Sequence, residues 1–509
     1  MSFYVTTPIY YVNAAPHLGH AYTTIAADVM ARHHRQRGEE VFFLTGTDEH
    51  GEPVADAAHA KGMTPQALAD ENSVHFKALL PLLGARNDFF IRTTDPEHVA
   101  KVQEVLSRVH DAGFVHEGVY EGWYCPRCAD FKAESEIDEG NRCPIHHIEL
   151  TREKEDSYFF ALSAFQERLE ALYAERPDFV APVTRHNEAL SVIRSGLRDV
   201  PLTRHRLRWG VPVPWDSEHV FYVWFDALLN YYSALSYAPA PAGVSDSDLT
   251  RTFWPASYHL IGKDILRFHA IYWPALLMAA GIELPRRLFV HGYLLMGGEK
   301  MSKSLGNVLD PFEAIDRFGA DALRFYLLRE VPFGQDGSVS SAAFEQRYES
   351  ELANELGNLA SRTTSMVGRY LGGRVHAGEI DPALASDFAG LSESVQAHVD
   401  RAELTAALDE IWQRVRRLNR YVEERSPWQL AKDEARADEL AAVLRTLVEG
   451  LRSVTVLLWA FIPASAERVL ATLGAPSVSL ADAGLRAGAV SEVGAIEPLF
   501  PKDTATRAG

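Results

Sequence analysis

The feature that most constrains the fold is an alternation of strand-like and helix-like segments that stops early in the chain and later resumes. An apolar run at Phe3–Thr6 precedes a helical pattern from about His17 to Arg37, and a second apolar run follows at Val41–Leu44. Alternating strands and helices form parallel sheets, because each helix covers a face of the sheet between two strands. The alternation breaks near residue 114 and resumes at Tyr258–Gly262, so the sequence predicts a parallel sheet interrupted by an insertion of roughly 100 residues.

The C-terminal part of the chain shows helical periodicity. Beyond about residue 345 no strand is predicted, and amphipathic helices are predicted at about 352–370, 402–424 and 439–473. The sequence therefore predicts an α/β chain that ends in an all-helical domain. The predicted boundaries are 1–113 and 216–292 for the halves of a split Rossmann-like domain, 114–215 for the insertion, 293–345 for a linking segment, and 346–509 for the helical domain.

Length and composition are those of a globular protein with several domains. The chain has 509 residues, of which 47% are hydrophobic and 23% charged, and its formal net charge is −19 at pH 7. This acidic balance argues against a protein coated with basic surface for nucleic acid, but it leaves room for a local positive face. Two arginine clusters are candidates for such a face or for a solvated helix surface: Arg194, Arg198, Arg204, Arg206 and Arg208, and Arg414, Arg416, Arg417, Arg420 and Arg425.

The sequence predicts neither secretion nor a membrane anchor. The residues Met1–Tyr4 lack the basic stretch of a signal peptide and read as the start of a strand. The longest apolar run, Val454–Ile462, is shorter than the roughly 20 residues that a helix needs to cross a bilayer. We therefore expect a cytoplasmic protein.

A His-x-Gly-His motif lies at the start of the first predicted helix. His17 and His20 are three residues apart, so both imidazoles share one face of a helix. Gly19 has no Cβ, which lets a base or a phosphate approach the backbone closely. The free N–H groups and the dipole of a helix N-terminus also favour anions. The motif is short enough to arise by chance, so its value depends on a second motif.

The second motif is the run Lys300–Ser304, with the sequence KMSKS, which follows the glycine pair Gly297 and Gly298. Its two ammonium groups stand on flexible stems beside two hydroxyls. Such a loop can neutralise the charge of a triphosphate as pyrophosphate departs. In isolation this run would be read as a solvated loop, but together with the first motif it predicts ATP binding.

All three cysteines lie in the insertion, in a pattern typical of a zinc site. Two residues separate Cys125 from Cys128, and Cys143 is followed by His146 at the same spacing. Two tight corners that present thiolates and an imidazole complete a tetrahedral shell for Zn²⁺, whereas three cysteines do not suit a disulfide framework. His147 is the alternative fourth ligand. Since four protein ligands leave no open position, we expect the Zn²⁺ to be structural.

These motifs, with the segment Thr6–Tyr11, resemble those of the class I aminoacyl-tRNA synthetases, and more closely the methionyl-tRNA synthetases. The resemblance covers nearly the whole chain. It implies a split Rossmann-like catalytic domain, a zinc-bearing insertion and an all-helical C-terminal bundle that binds the anticodon. It also implies that ATP, with Mg²⁺, activates L-methionine to methionyl-adenylate and pyrophosphate, and that the methionyl group then passes to the terminal adenosine of tRNA(Met).

The resemblance assigns roles to the residues at matching positions. The catalytic set is His17, His20, Lys300 and Lys303. The ATP-binding set is His17, Gly19, His20, Asp264, Lys300, Ser302 and Lys303, with Asp264 expected to face the ribose hydroxyls. The methionine-binding set is Ile9, Tyr11, Asp48, Trp224, Ala227, Tyr231, Ile265, His269 and Trp273. The anticodon set is Asn358, Arg362 and Trp428.

Elementary chemistry agrees with these assignments. Methionine is unbranched and apolar with a weakly accepting sulfur, so an aromatic pocket with one or two donors suits it, and Asp48 would bind its ammonium group. Without the resemblance, residues 221–225 read as a buried strand. Trp428 follows Pro427 and reads either as a core residue of the bundle or as an exposed platform for a base; the resemblance favours the platform.

Two other functions share part of the pattern. A class I synthetase for isoleucine, valine or leucine would carry a large hydrolytic insertion, and the insertion here is too short to contain one. A catalytically silent tRNA-binding paralogue would not need both ATP motifs intact. Because no further domain is predicted after the helical one, we expect a monomer.

Overall fold

The computed structural model describes residues 2–126, 130–132, 134, 137–144, 147–296, 310–487 and 491–502. Within these ranges the chain folds into two compact units. The first unit comprises Met1–Pro16, Glu40–Leu80 and Arg86–His291, and the second comprises His17–Glu39, Pro81–Ala85 and Gly292–Gly509. Each unit therefore takes its residues from distant parts of the chain.

The first unit is built on a sheet whose six described strands are all parallel. In spatial order these strands are Phe89–Arg92, Glu40–Asp48, Ser2–Tyr11, Tyr258–Gly262, Leu288–His291 and Val180–Ala181. The parallel sheet predicted from the alternation is confirmed, and its last strand comes from the segment predicted as the insertion. The strand order reverses between Ser2–Tyr11 and Tyr258–Gly262, a position at which open α/β sheets bind ligands beyond the carboxyl ends of their strands.

The register of the sheet sets two side chains side by side at this edge. The apolar run Val41–Leu44 is buried, as expected for a strand of a parallel sheet covered on both faces. The strand Ser2–Tyr11 pairs with Glu40–Asp48 through a register shift between Thr6 and Ile9. After the shift, Tyr11 is the Cα partner of Asp48.

Helices cover this sheet. The α-helices that lie mainly in the first unit are Glu52–Ala60, Pro65–Leu82, Pro96–Asp111, Gln166–Glu175, Val183–Arg194, Val223–Leu228, Asn230–Ser233, Leu249–Phe253 and Trp273–Ala280. Its 3₁₀ turns are Leu162–Phe165, Ala234–Ser236 and Lys263–Ile265, and its π-helical turn is Phe268–Tyr272. The reading of residues 221–225 as a strand was wrong, because the strand ends at Phe221 and a helix begins at Val223.

The segment from Lys263 to Ala280 is divided into 3₁₀, π and α turns instead of forming one continuous α-helix. Pro274 explains part of this difference. It has no N–H to donate to the carbonyl of Ala270, and the hydroxyl of Tyr173 donates to that carbonyl instead, at 2.9 Å.

The insertion carries two antiparallel sheets in its described residues. The first has the strands Val115–Cys125, Asp130–Lys132, Thr151–Phe160 and Val200–Pro201, and the second has Thr203–Arg204, Pro212–Val213 and Asp216–Phe221. The longest pairing runs from Val115 opposite Phe160 to Tyr124 opposite Thr151. This pairing brings Cys125, at the end of its strand, close to the segment that carries Cys143.

The second unit is mainly helical. Its α-helices are Leu18–Gln36, Pro311–Phe318, Ala320–Glu330, Ser341–Arg347, Asn358–Leu371, Pro382–Phe388, Leu391–Asp400, Leu404–Arg425, Pro427–Leu430, Ala437–Leu458 and Pro463–Thr472. Its π-helical segment is Tyr348–Gly357, and its 3₁₀ turns are Glu434–Arg436 and Leu480–Asp482. In the described part of the chain, every helix is too short or too polar to cross a lipid bilayer.

Short strands also occur in the second unit. Leu294–Met296 pairs in parallel with Gly337–Val339, and Arg374–Val375 pairs antiparallel with Ser491–Glu492. The prediction of no strand beyond residue 345 was therefore wrong in this detail. A two-residue strand has too few side chains to produce a recognisable alternation, so the sequence pattern does not reveal it.

A buried ion pair anchors the helix that follows the first motif. Arg324 is fully buried, and its Nη2 lies 2.7 Å from Asp28 on the helix Leu18–Gln36. The same guanidinium donates to the carbonyls of Ala460 and Phe461 at 2.8 Å each. These carbonyls follow the helix Ala437–Leu458, so one arginine holds three parts of the second unit together.

Candidate active site

Asp48 ends the strand Glu40–Asp48 and lies buried at the carboxyl edge of the central sheet. It is 3% exposed, and its Oδ1 has no hydrogen-bond partner among the described residues. Burial, with smaller contributions from the carboxylates of Asp226 and Glu49, raises the pKa of Asp48 well above its ordinary value. A cation that reaches Oδ1 would form an ion pair in a dry environment and stabilise the charged carboxylate.

The neighbouring carboxylate, that of Glu49, has a full set of partners. Nε and Nη2 of Arg92 donate to its two oxygens at 2.7 and 2.9 Å, and two threonine hydroxyls add further bonds. The indole N–H of Trp209 donates to the Glu49 carbonyl at 2.6 Å. These bonds fix the backbone that follows Asp48, while none of the described cations pairs with Asp48 itself.

An apolar cluster beside this edge contains most of the predicted methionine-binding side chains. Its members from that set are Ile9, Tyr11, Trp224, Tyr231, Ile265 and Trp273. Trp224 stacks on Phe268 with ring centroids 3.8 Å apart, and Tyr11 meets Trp224 edge to face at 6.4 Å. The buried indole N–H of Trp224 has no acceptor among the described residues. Ala227 is buried on the same helix as Trp224.

Tyr231 and His269 form a hydrogen-bonded pair whose proton positions follow from their partners. His269 Nδ1 lies 3.0 Å from the carbonyl of Ile265, which can only accept, so Nδ1 carries the hydrogen. His269 Nε2 therefore accepts from the hydroxyl of Tyr231, at 2.7 Å. Burial lowers the pKa of His269 to about 4, so the imidazole is neutral at physiological pH. This pair presents an uncharged polar group next to the aromatic cluster.

Sequence reasoning missed Asp226, a buried carboxylate on the helix Val223–Leu228. Its Oδ2 lies 2.7 Å from His50 Nδ1, its Oδ1 lies 2.8 Å from His98 Nε2, and His98 Nδ1 lies 2.6 Å from Ser233 Oγ. Burial opposes ionisation, but the bonds from His50 and His98 lower the pKa of Asp226 to about 2. A single acid within an apolar run was the signal available, because a buried carboxylate needs partners.

The first motif forms the N-terminus of the helix Leu18–Gln36 in the second unit. The N–H of Gly19 donates to Nδ1 of His17, and the N–H of His17 donates to Nδ1 of His20, each at 3.1 Å. The two rings stack with centroids 3.7 Å apart, as the shared helix face predicts. A Cβ on Gly19 would lie 3.0 Å from the His17 ring, so in this structure the glycine makes room for that imidazole. The motif is thus a capping box made by two histidines.

Asp264 lies in the first unit, just after the strand Tyr258–Gly262. Its side chain is exposed and folds back over the preceding glycine, since a Cβ on Gly262 would lie 2.5 Å from Asp264 Oδ1. An exposed carboxylate at the carboxyl end of a sheet strand is suited to accept hydrogen bonds from ribose hydroxyls. The role predicted for Asp264 stays a prediction.

Half of the predicted zinc site is described. Cys125 and Cys143 are both fully buried and share one small cluster with Leu150. His147 is 74% exposed at its side chain, and its Nδ1 lies 3.9 Å from a carboxylate oxygen of Asp138. No group of three or more potential metal ligands is found among the described residues. The predicted site residues outside the described ranges are Cys128, His146, Lys300, Ser302 and Lys303.

The three predicted anticodon residues lie on two helices of the second unit. Asn358 is exposed at the start of Asn358–Leu371, and Arg362 follows one turn later. The guanidinium of Arg362 lies 5.8 Å from the ring of Trp428 and 2.6 Å from the carboxylate of Glu423. Trp428 is partly exposed, as a stacking platform requires and a core residue does not.

Most members of the C-terminal arginine cluster form ion pairs within the second unit. Arg414 pairs with Glu410, Arg417 pairs with Asp387, and Arg425 pairs with Asp381. Exposed ion pairs of this kind contribute little to stability, and the choice between a solvated helix surface and a nucleic-acid-binding face stays a prediction.

Comparison with known proteins decides the family. A family model described as tRNA synthetases class I (M) matches residues 3–155 and 139–364. The chain belongs to the class I methionyl-tRNA synthetases. The resemblance read from the two motifs and the cysteine pattern is therefore confirmed at the level of the family.

Relatives match over most of their length. A methionine–tRNA ligase of Streptomyces coelicolor is 45% identical over 98% of this chain and 96% of its own length, and one of Clostridium tetani is 45% identical over 92% of this chain and 73% of its own length. A solved structure of Mycobacterium tuberculosis methionyl-tRNA synthetase in complex with methionyl-adenylate is 44% identical, with a TM-score of 0.93, and the match covers 98% of this chain and 99% of that one. The α/β fold of this chain is thus that of the methionyl-tRNA synthetases.

Proposed function

We infer that this chain is a methionine–tRNA ligase. In the first step a carboxylate oxygen of L-methionine attacks the α-phosphorus of ATP, the bond to the β-phosphate breaks, and pyrophosphate leaves. In the second step a ribose hydroxyl of the terminal adenosine of tRNA(Met) attacks the carbonyl of methionyl-adenylate, and AMP leaves. Family membership supports this reaction over an isoleucine, valine or leucine ligase and over a silent paralogue.

The observation that carries the amino-acid assignment is the buried Asp48 carboxylate with an unpartnered oxygen. We propose that the ammonium group of methionine binds Oδ1, because this supplies the cation that the described residues do not. The strand register places Tyr11 beside Asp48. The amino acid would therefore be held at its ammonium end by a charge and along its side chain by aromatic rings.

The aromatic cluster suits a thioether. A sulfur near the edge of an aromatic ring gains about 0.3–1.5 kcal/mol, and an unbranched side chain fits between flat rings. We propose that Trp224 and Tyr231 form walls of this pocket together with the other members of the set, Ile9, Tyr11, Ala227, Ile265, His269 and Trp273. Neutral His269 fixes the hydroxyl of Tyr231 and adds no charge to an apolar pocket.

We propose that ATP is bound by the two motifs and by Asp264. The residues assigned to it are His17, Gly19, His20, Asp264, Lys300, Ser302 and Lys303. Nδ1 of His17 and Nδ1 of His20 each accept a hydrogen bond from a backbone N–H. The neutral form of each imidazole therefore carries its hydrogen on Nε2, and an Nε2–H group can donate to a phosphate oxygen. Lys300 and Lys303 would stabilise charge on the departing pyrophosphate. Mg²⁺ bound to ATP neutralises part of the phosphate charge.

The described half of the cysteine site fits a Zn²⁺ ion. Thiols of Cys125 and Cys143 come from separate segments and meet in one buried cluster, as the two corners of a zinc knuckle require. The exposed side chain of His147 favours His146 as the fourth ligand, with Cys128 as the third thiolate. In this assignment Cys125, Cys128, Cys143 and His146 hold one structural Zn²⁺ that stabilises the insertion.

We propose that Asn358, Arg362 and Trp428 read the anticodon of tRNA(Met). An amide and a guanidinium donate to base edges, and a partly exposed indole stacks on an unpaired base. Asn354 is exposed one turn before Asn358 and is a further candidate, which a pattern restricted to matching positions did not include. That the ligase acts as a cytoplasmic monomer stays a prediction from the sequence.

ATP–pyrophosphate exchange, measured with each of the twenty amino acids, tests this function. Methionine should support exchange with the highest kcat/KM, and isoleucine, valine and leucine should support little. Strong exchange with another amino acid would reassign the pocket. No exchange with any amino acid, in a folded protein that still binds tRNA(Met), would favour the silent paralogue.

A further inference from the structure

The Asp226 carboxylate joins segments that the proposed function places around methionine. His50 follows Asp48 by two residues, and its Nδ1 lies 2.7 Å from Asp226 Oδ2. Asp226 itself lies between Trp224 and Ala227 on the helix Val223–Leu228. One carboxylate therefore ties the segment that directly follows Asp48 to the helix that carries two pocket residues.

The far side of the carboxylate is tied to a third element. Asp226 Oδ1 lies 2.8 Å from Nε2 of His98, on the helix Pro96–Asp111, and His98 Nδ1 lies 2.6 Å from Ser233 Oγ. The four side chains of this hydrogen-bonded series are all buried: His50, Asp226, His98 and Ser233. Both oxygens of Asp226 are thus occupied by imidazoles, and the carboxylate does not touch a ligand directly.

The carboxylates at this edge of the sheet differ in their partners. Arg92 compensates Glu49, whereas Asp226 has imidazole partners and Asp48 has no cation among the described residues. The charge of Asp226 raises the pKa of Asp48, and electrostatic attraction and hydrogen bonds from His50 and His98 lower the pKa of Asp226. Asp226 therefore adds to the negative potential at the Asp48 carboxylate.

We propose that Asp226 is a positioning residue for methionine, which holds the segment after Asp48 through His50 and attracts the methionine ammonium with a second, indirect negative charge. The proposal rests on the proposed function, in which Asp48 binds that ammonium. In a buried site of low effective dielectric constant, a charge that lies beyond contact still contributes to binding. The site then selects for a ligand with a free ammonium group by two carboxylates, of which only Asp48 makes contact.

Asp226→Asn separates charge from hydrogen bonding. The amide oxygen of asparagine can accept from His50 Nδ1, and the amide N–H can donate to His98 Nε2. His98 then carries its hydrogen on Nδ1 and donates to Ser233 Oγ, whose own hydrogen can reach the carbonyl of Asn230, 3.4 Å away. A change of the His98 tautomer thus preserves the hydrogen bonds of this series, and the variant loses only the negative charge of Asp226.

Calorimetric titration with L-methionine at pH 8 measures the effect. The affinity of Asp226→Asn should fall by about tenfold, the size expected for one charge in a partly screened site. Asp199→Asn is the matched control, since Asp199 also bonds an imidazole and a serine hydroxyl, from His116 and Ser163, at 2.9 and 2.6 Å. Its affinity should stay within about twofold of wild type. Equal affinities for wild type and Asp226→Asn would overturn the proposal.

Two further measurements exclude a merely structural role. 4-(Methylthio)butanoate, which lacks the ammonium group, should bind Asp226→Asn no more weakly than wild type, because removal of a negative charge does not penalise a carboxylate ligand. An equal loss for both ligands would instead indicate a collapsed pocket. If Asp226→Asn does not fold, the pair Asp226→Glu and Asp226→Gln replaces it, since both lengthen the side chain equally and differ in charge. The proposal fails if these two variants bind methionine equally.

The pH dependence of methionine affinity provides an independent test of the proposal. Among the described groups, the charges of Asp226 and Glu49 raise the pKa of Asp48, the backbone of His50 lowers it, and Tyr231 on the helix Asn230–Ser233 interacts electrostatically with Asp48. Acid protonates Asp48 and weakens methionine binding. Removal of the Asp226 charge lowers the pKa of Asp48, so in Asp226→Asn the acid loss of affinity should occur at lower pH than in wild type. A loss at the same pH would contradict the proposal. Failure of wild type to bind methionine at any pH would instead reject the proposed function.

Discussion

Asp48→Asn should weaken methionine binding and stabilise the free protein, and the two opposite effects test the assignment of the ammonium site. Asparagine keeps the shape of the side chain but removes the charge. The lost interaction is a hydrogen bond between charged groups, worth about 1.5–3 kcal/mol. This corresponds to an affinity roughly 10- to 150-fold lower. Calorimetry with methionine near neutral pH measures the change directly.

The sign of the stability effect follows from linkage. Burial, Asp226 and Glu49 raise the pKa of Asp48 in the folded protein. Between the unfolded and the folded pKa, the native state therefore binds more protons than the unfolded state, and the free energy of unfolding falls as pH rises. Asp48→Asn removes this dependence, so its melting temperature should exceed that of wild type at neutral pH and approach it in acid.

Asp70 is a matched control, because it is an aspartate of the same unit that is not assigned to methionine binding. Asp70 is 53% exposed at its side chain and pairs with Arg92 at 2.6 Å. Asp70→Asn should leave methionine affinity within about twofold of wild type, because exposed ion pairs contribute little. If Asp48→Asn binds methionine as wild type does, or loses affinity and stability together, the ammonium does not bind Asp48 as proposed.

Three more outcomes follow from the account. Lys303→Ala should lower kcat of pyrophosphate exchange by about tenfold or more with a small change in KM for methionine, since its charge is needed mainly as pyrophosphate leaves; an unchanged kcat would exclude that role. Elemental analysis of tag-free protein should find about one zinc per chain, and less than about half a zinc with reactive thiols would exclude the knuckle. Trp428→Ala should cut aminoacylation by about tenfold, one base stack, and leave exchange intact. A parallel loss of both activities, or a sharp fall in melting temperature, would make Trp428 a core residue.

The sequence predicted the elements whose side-chain pattern is long and regular. The run Val41–Leu44 was predicted to be a strand and is buried within the strand Glu40–Asp48, and Asp48 lies at the carboxyl edge of the sheet. The first helix was predicted from about His17 to Arg37, and the structure has it at Leu18–Gln36. These inferences needed local information only.

What the sequence did not reveal depends on contacts between distant segments. Asp226 lies in an apolar run of the sequence. Its hydrogen-bond partners, His50 and His98, are 176 and 128 residues away in the chain, so only the structure reveals the role of this carboxylate. The absence of a side chain at Gly19 was explained by the approach of a ligand, whereas in the structure the His17 ring fills that space. The carbonyl of Ala270, which Pro274 leaves without a backbone N–H, accepts from the hydroxyl of Tyr173, and no local sequence pattern identifies this partner.

The most direct test of the central claim is a chase of the intermediate. Protein incubated with ATP, Mg²⁺ and L-methionine, then freed of small molecules, should retain methionyl-adenylate. Addition of tRNA(Met) should release AMP in one turnover and yield tRNA with methionine on its terminal adenosine, detected by mass spectrometry after nuclease digestion. Retention of the adenylate without transfer to tRNA(Met), or transfer of a different amino acid from an equimolar mixture, would contradict the account.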